Sequence, residues 1–388
     1  MAVLKERYMK KIVIIGANDF QNPLILKAKE MGFETHVFAW KDGSVGERTA
    51  DFFYPISIVE RDRILKECKK IRPDAVASIG SDLAMLTVNE VAGSLGLPCN
   101  SMECTRVSTN KYAMREAFLA AGVSVPGFTR VDGETKAEEI RGLKLPVIVK
   151  PTDRSGSRGI TKLTDWSGFL EAKKLAVENS FEKRAVVEEY LTGEEYSCEC
   201  ISYRGEHQLL ALTKKYTTGA PNFIETAHLE PSGLSAEQTD KIRQAVFKAL
   251  NALKVENGAS HTEFMIDEKD TVKIIEVGAR MGGDCIGSHL VPLSTGYDYV
   301  GKVIDIACGK KPGPVRRQKE HAAYIRFVFC QEDLRLLEDL KHRAPEHICF
   351  ISEMAPITDG KVTDSSARFG YYILTFENLE QAKEYIEL

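Results

Sequence analysis

The stretch HTEFMIDEKDTVKIIEVGAR carries two glutamates, Glu263 and Glu276, on apolar runs separated by the polar DEKD. The pattern predicts a β-hairpin. With an even-numbered loop Ile266 pairs with Thr271 and Glu263 with Ile274, so both carboxylates share one face as diagonal neighbours, about 7–8 Å apart along the backbones. Phe264, Ile266, Ile275 and Val277 then share the opposite, apolar face. Two carboxylates that close repel and desolvate each other, a cost that a divalent cation or a shared proton resolves. Mg2+ held by one or two carboxylates plus substrate phosphates fits the pair; two solvated glutamates on an exposed sheet face are the plainer alternative.

Two further stretches carry related chemistry. In IVKPTDRSGSRGI, Lys150 ends a strand and a loop containing Ser155, Gly156, Ser157 and Gly159 follows. Lysine is a point charge suited to phosphate, and amides freed by glycine can wrap phosphate oxygens. In AVVEEYLTGEEYSCECI an apolar strand arrives, polar groups intervene and a second strand leaves from Glu195. Combined, the two stretches resemble a nucleotide pocket.

The elements around these residues set the architecture. A chain of 388 residues with 43% hydrophobic and 28% charged residues is long enough for several domains and a large core. A net charge of −4, with both signs interspersed, leaves no basic stripe for nucleic acid or an anionic membrane. No apolar run approaches the ~18 residues of a membrane span, and MAVLKERYMK lacks a signal-peptide core, so no membrane partner and a cytoplasmic location are expected. Nine cysteines without CxxC spacing read as reduced thiols, and Cys198 and Cys200 lack the further ligands of a zinc site. Residues 1–108 alternate strand and helix, which predicts an N-terminal doubly wound parallel sheet. The first strand-to-helix turn, GANDFQ, has Asn18 where a dinucleotide fingerprint needs its second glycine. Residues 109–311 read as an α+β domain with hairpins, and residues 312–388, after the connector GKKPGPVRR, as a small C-terminal α+β unit. The overall class is α/β and α+β.

In order, these motifs resemble the ATP-grasp superfamily over most of the chain. The resemblance implies an N-terminal αβ domain, an ATP-grasp fold over 109–311 with a lid subdomain at about 112–185, and the C-terminal unit. It implies phosphate-binding lysines at Lys111, in TNKYAM, and at Lys150, with Ser155, Gly156, Ser157 and Gly159 as a flexible lid over ATP. Glu188, Tyr190 and Leu191 would form the hinge that reads adenine, and Glu195 would bind ribose. Glu263 and Glu276 match magnesium ligands, with Mn2+ as the alternative cation, and Arg280 matches the arginine near the transferred phosphate. Two positions depart from the pattern: Gly278 replaces an asparagine metal ligand, which leaves one or two metals open, and Asn110 replaces an aspartate. GARMGGD and SSARFGYYIL look most like carboxylate-amine ligases related to L-amino acid ligases, and like the carbamoyl phosphate synthetase large subunit. The expected function is therefore an ADP-forming ligase that converts a small carboxylic acid, amino acids among the candidates, to an acyl phosphate for attack by an amine. A bicarbonate-phosphorylating carboxylase and a non-catalytic ATP-binding module are the alternatives. Arg280 and His228 are candidate contacts to the substrate carboxylate. His261 is expected merely beside the metal face, and His228 and His289 are expected to be chiefly structural. A homodimer is left open.

Overall fold

The computed structural model describes residues 9–386, apart from Asn222, Arg317, Lys319 and residues 359–361. The N-terminal sheet contains β1 (Lys11–Ile15), β2 (Glu34–Ala39), β3 (Phe52–Pro55) and β4 (Ala75–Ala77), all parallel in the order β3-β2-β1-β4. Ile12 to Ile15 are all fully buried because helices cover both faces. On one face Ile12 and Ile14 pack with Leu24 and Ile25 of the helix Asn22–Glu30. On the other, Val13 and Ile15 meet Ile64 and Val88 of the helices Arg61–Ile71 and Asp82–Ser94. The doubly wound arrangement is the expected one.

A second, four-stranded sheet holds β5 (Phe128–Val131), β6 (Val147–Pro151), β7 (Thr161–Leu163) and β8 (Ala185–Glu189), in the antiparallel order β5-β8-β6-β7. Val147, Val149 and Val187 face the helix Phe169–Asn179, and alternation sends Lys150 and Glu188 to the other face.

The third sheet has eight strands. It contains β9 (Glu194–Tyr203), β10 (Glu206–Thr217), β11 (Glu225–Glu230), β12 (Asn257–Ile266), β13 (Val272–Gly278), β14 (Ala322–Phe327), β15 (Ile348–Ile351) and β16 (Tyr371–Phe376). The order is β13-β12-β9-β10-β11-β14-β16-β15. The unit after about residue 312 thus adds its strands to the sheet that carries the glutamate hairpin. The helix Ala236–Ala252 starts at a Ser235/Gln238 capping box and lays Ile242, Val246 and Leu250 on Phe264 and Ile274. The helix Tyr299–Ala307 packs into one core with both this sheet and the N-terminal one.

The hairpin exists, but its register differs from the expected one. The Asp267 carboxylate accepts the amides of Lys269 and Thr271, both at 3.0 Å, which draws Thr271 into the loop and pairs Ile266 with Val272. A β-bulge then follows: Phe264 faces Ile274, while Glu263 directly faces Glu276, leaving Ile275 as the extra residue. The carboxylates are therefore direct cross-strand neighbours and not diagonal ones. Ile274, 1% exposed, takes the core place expected for Ile275, which is half-buried and turned to the other side.

Candidate active site

The helix Lys111–Ala120 starts where the three sheets converge. Asn110 caps it, accepting the Ala113 amide at 3.0 Å, so the residue expected as aspartate still serves the helix start. Lys111 donates its backbone N–H to the Thr152 carbonyl (2.7 Å) and its ammonium to the Arg154 carbonyl (2.8 Å). The lysine thereby anchors the root of the Gly/Ser loop. Its Nζ also lies 2.9 Å from Glu276 Oε1. Burial opposes the charge, but Glu276 outweighs it and raises the lysine pKa.

One turn along this helix, Arg115 is buried, with 1% exposure. Its guanidinium donates to both Glu188 oxygens, at 2.8 and 3.1 Å, and to the carbonyls of Ile274 (3.1 Å) and Ile275 (2.7 Å). Arg115 thus satisfies carbonyls that the bulge turns away from the ladder. Lys150 completes the cluster, with Nζ 2.8 Å from Glu188 Oε2. Burial raises the Glu188 pKa, yet the two cations win and hold it at about 2. Lys150 itself is pushed down, because Glu188, shared with Arg115, does not offset its burial.

Lys215, on β10, is a second lysine at the glutamate pair. Its ammonium lies 2.6 Å from Glu263 Oε1, 2.9 Å from Glu195 Oε1 and 3.8 Å from Glu225 Oε1. Burial pushes Glu263 up, but Lys215 and His261 hold it well below the carboxylate range. His261 is more than a bystander. Its Nδ1 is 2.5 Å from Glu199 and its Nε2 3.3 Å from Glu263; despite burial, Glu199 raises its pKa to about 9. Arg280 is held by Asp82 in a two-pronged pair, Nε–Oδ1 2.9 Å and Nη2–Oδ2 2.9 Å. A Cβ on Gly278 would lie 2.9 Å from Arg280 Cζ and 3.0 Å from Asp82 Oδ1, so this pair fills the space an asparagine would need.

These side chains enclose two adjoining cavities. One, of about 240 Å3, has Lys111, Ser155, Gly156, Ser157, Glu263, Glu276 and Arg280 in its wall. The other, of about 140 Å3, is lined by Lys150, Glu188, Tyr190, Leu191 and Glu195, with Ile148, Met265 and Ile275 supplying apolar surface. Lys111, Ser157, Lys215, Glu225, Glu263 and Glu276 belong to both walls, so the polar chamber and the apolar slot are continuous. Among the expected residues, Gly159 stands apart: it packs at the foot of the loop near Asn179 and Pro151. The Glu188 carboxylate is committed to Arg115 and Lys150. His228 lies in the chamber wall, whereas His289 pairs with Ser288 at 2.9 Å and packs near Phe350.

A charged chamber joined to an apolar slot is the setting in which the likeness to known proteins is to be placed. Residues 143–288 match the ATP-grasp domain. The fold matches the L-amino acid ligase from Bacillus licheniformis at a TM-score of 0.81, with 20% identity, over 97% of this chain and 95% of that one. Residues 143–288 thus carry an ATP-grasp domain. Among curated proteins the chain is similar to alanine–anticapsin ligase of Bacillus subtilis (strain 168), 28% identical over 306 residues. That match covers 69% of this chain and 63% of the relative, so the chain spans less than two thirds of that protein's length. It is also similar to D-alanine–D-alanine ligase B of Chromobacterium violaceum, 28% identical over 54% of this chain and 69% of that one.

The site contains residues that sequence reasoning missed. Arg115 carried a usable signal, four places after Lys111 on a helix and hence on the same face. Lys215 in TKKYT carried a weaker one, a cation alternating into a sheet face. Asp82 carried none, because its partner Arg280 belongs to a distant segment. No helix among the described residues is long and apolar enough to cross a membrane.

Proposed function

We propose that this protein is an ADP-forming carboxylate-amine ligase. The observation that carries the reading is the cross-strand pair Glu263/Glu276, each partnered by a lysine, in the same chamber as Arg280 and continuous with a slot suited to a purine. In this reading adenine occupies the slot beside Tyr190, Leu191 and Ile275, and Glu195 meets the ribose. Lys111, Lys150 and the amides of Ser155, Gly156 and Ser157 hold phosphate oxygens. The donor set fits Mg2+, because two hard carboxylates suffice when nucleotide phosphates complete the shell. The cation, Mg2+ or Mn2+, would supply neutralisation of charge on the transferring phosphoryl.

The protein's own work is positioning and charge compensation. A substrate carboxylate oxygen attacks the γ-phosphorus and ADP leaves. Arg280, oriented by Asp82, stabilises the developing acyl phosphate. The amine then attacks the carbonyl carbon, and the bond to the bridging oxygen breaks to release phosphate. The relatives' names point to amino acids as the acid and amine class. Free cysteines, most of them buried or half-buried, support the reduced, cytoplasmic setting expected from the sequence.

Oxygen labelling tests the reading. An acid labelled in its carboxylate should deliver one heavy oxygen to each inorganic phosphate and none to ADP. Label in AMP with released pyrophosphate, or unlabelled phosphate beside a formed amide, would refute it. ADP release that depends on bicarbonate alone would select the carboxylase alternative.

A further inference from the structure

The chamber holds a histidine whose chemistry the proposed ligase reading leaves unused. His228, on β11, is 1% exposed, and among the described residues neither ring nitrogen has a hydrogen-bond partner. Burying an imidazole without partners is costly, and such a group is expected to meet something it can bond. It lies in the same wall as Glu263, Glu276 and Arg280. The ring is fixed edge-on to Phe327, at 5.7 Å and 80°. Its Nε2 is 3.6 Å from Asp284 Oδ2, beyond hydrogen-bond length and within ion-pair range. Asp284 is itself locked by Arg368, which donates Nη1 to Oδ2 at 2.9 Å and Nη2 to Oδ1 at 2.6 Å. Arg368 comes from the C-terminal unit and stacks its guanidinium 3.7 Å from the Phe327 ring. Sequence reading offered no group to orient a base here; the fold brings one in from two distant segments.

We propose that His228, held against Phe327 with Asp284 in ion-pair range, is the general base that takes the proton from the attacking amine. The proposal rests on the ligase reading. Attack on an acyl phosphate requires an amine that gives up a proton as the C–N bond forms. The imidazole accepts that proton, the electron pair of the breaking C–O bond leaves with phosphate, and Asp284 stabilises the imidazolium. The charged groups around the ring are Asp284, Arg368, Lys215 and Glu225. Burial, with Lys215, lowers the imidazole pKa against the pull of Asp284 and Glu225, which keeps it unprotonated and available near neutrality.

Hydroxylamine separates the two half-reactions, because it is an unprotonated nucleophile at neutral pH and captures acyl phosphates without a base. Each proteinogenic amino acid is supplied as the acid, with either hydroxylamine or a second amino acid as nucleophile. The variant His228→Asn should lower the ratio of amide to hydroxamate formation about 10²–10⁴-fold, a ratio that loss of a contact to the acid alone would leave unchanged. Loss of both activities together, or of neither, would overturn the proposal. Wild type yielding no hydroxamate with any acid would sink the ligase reading itself, a distinguishable failure. Should His228→Asn not fold, as judged by thermal unfolding, His228→Gln is put through the same comparison with the same deciding outcomes.

Discussion

Replacing Glu188 with glutamine removes the one anion shared by Arg115 and Lys150, and its cost can be worked from the site. In the folded protein the Glu188 pKa stands at about 2 against an ordinary 4.5, Arg115 and Lys150 outweighing burial. At about 1.4 kcal/mol per pH unit, that depression amounts to about 3 kcal/mol of stabilisation of the charged form. Breaking a buried ion pair by deleting one partner costs ~3–5 kcal/mol by independent measure, which agrees in size. The sign follows from the direction. A depressed carboxylate contributes its full stability above pH 4.5 and loses it as the pH falls toward about 2. Urea unfolding of wild type and Glu188→Gln between pH 7 and 3 should therefore give a difference of about 3 kcal/mol at pH 7 that shrinks below pH 4.5. A difference that is constant across this range, or below about 0.5 kcal/mol throughout, would refute the reasoning.

Two other substitutions probe the glutamate hairpin. Glu276→Gln keeps shape and loses charge, so it should lower turnover at least about 100-fold at limiting Mg2+; near-normal turnover in a magnesium titration would remove Glu276 from the metal set. Gly278→Asn drives a side chain into Arg280 and Asp82 and should cost about 1–3 kcal/mol in chemical denaturation with a parallel fall in turnover. A gain in Mg2+ affinity without loss of stability would show that the Arg280–Asp82 pair yields.

The legible part of the site was the part whose meaning is local. Lys150 at a strand end and the two hairpin glutamates are each specified by neighbours a few residues away, whereas Lys111 entered only through the family resemblance. Alternation alone recovers that Glu263 and Glu276 share a face. It cannot register the bulge, because one extra residue at Ile275 changes parity without changing composition. What fixes the bulge, the Arg115 guanidinium on the Ile274 and Ile275 carbonyls, belongs to another segment entirely. Asp82 with Arg280 and Asp284 with Arg368 are hidden in the same way, since ion-pair partners that meet only in the folded chain leave no spacing to read. The sheet membership of β14 to β16 was equally out of reach: their alternation fits a separate unit as well as an extension of the main sheet.

The pairing pattern bears on how such a site can accept a highly charged nucleotide. Lys111 pairs with Glu276 and Lys215 with Glu263, so two cations and two anions cancel in the wall of one chamber. In the proposed ligase reading, binding a phosphate chain together with a divalent cation would amount to an exchange of partners: the lysines would pass to phosphate oxygens and the glutamates to the metal. Neither charge set is left uncompensated at the end, which matters because an unpaired buried ion costs several kcal/mol. The same logic predicts that phosphate chain and cation bind with positive coupling, since either one alone would strand the partners of the other. Lys150, already pushed toward losing its proton by burial, would be recharged by a phosphate bound beside it in that reading. Arg115, with its carboxylate and carbonyl partners in place, ties β8 to the hairpin independently of that exchange.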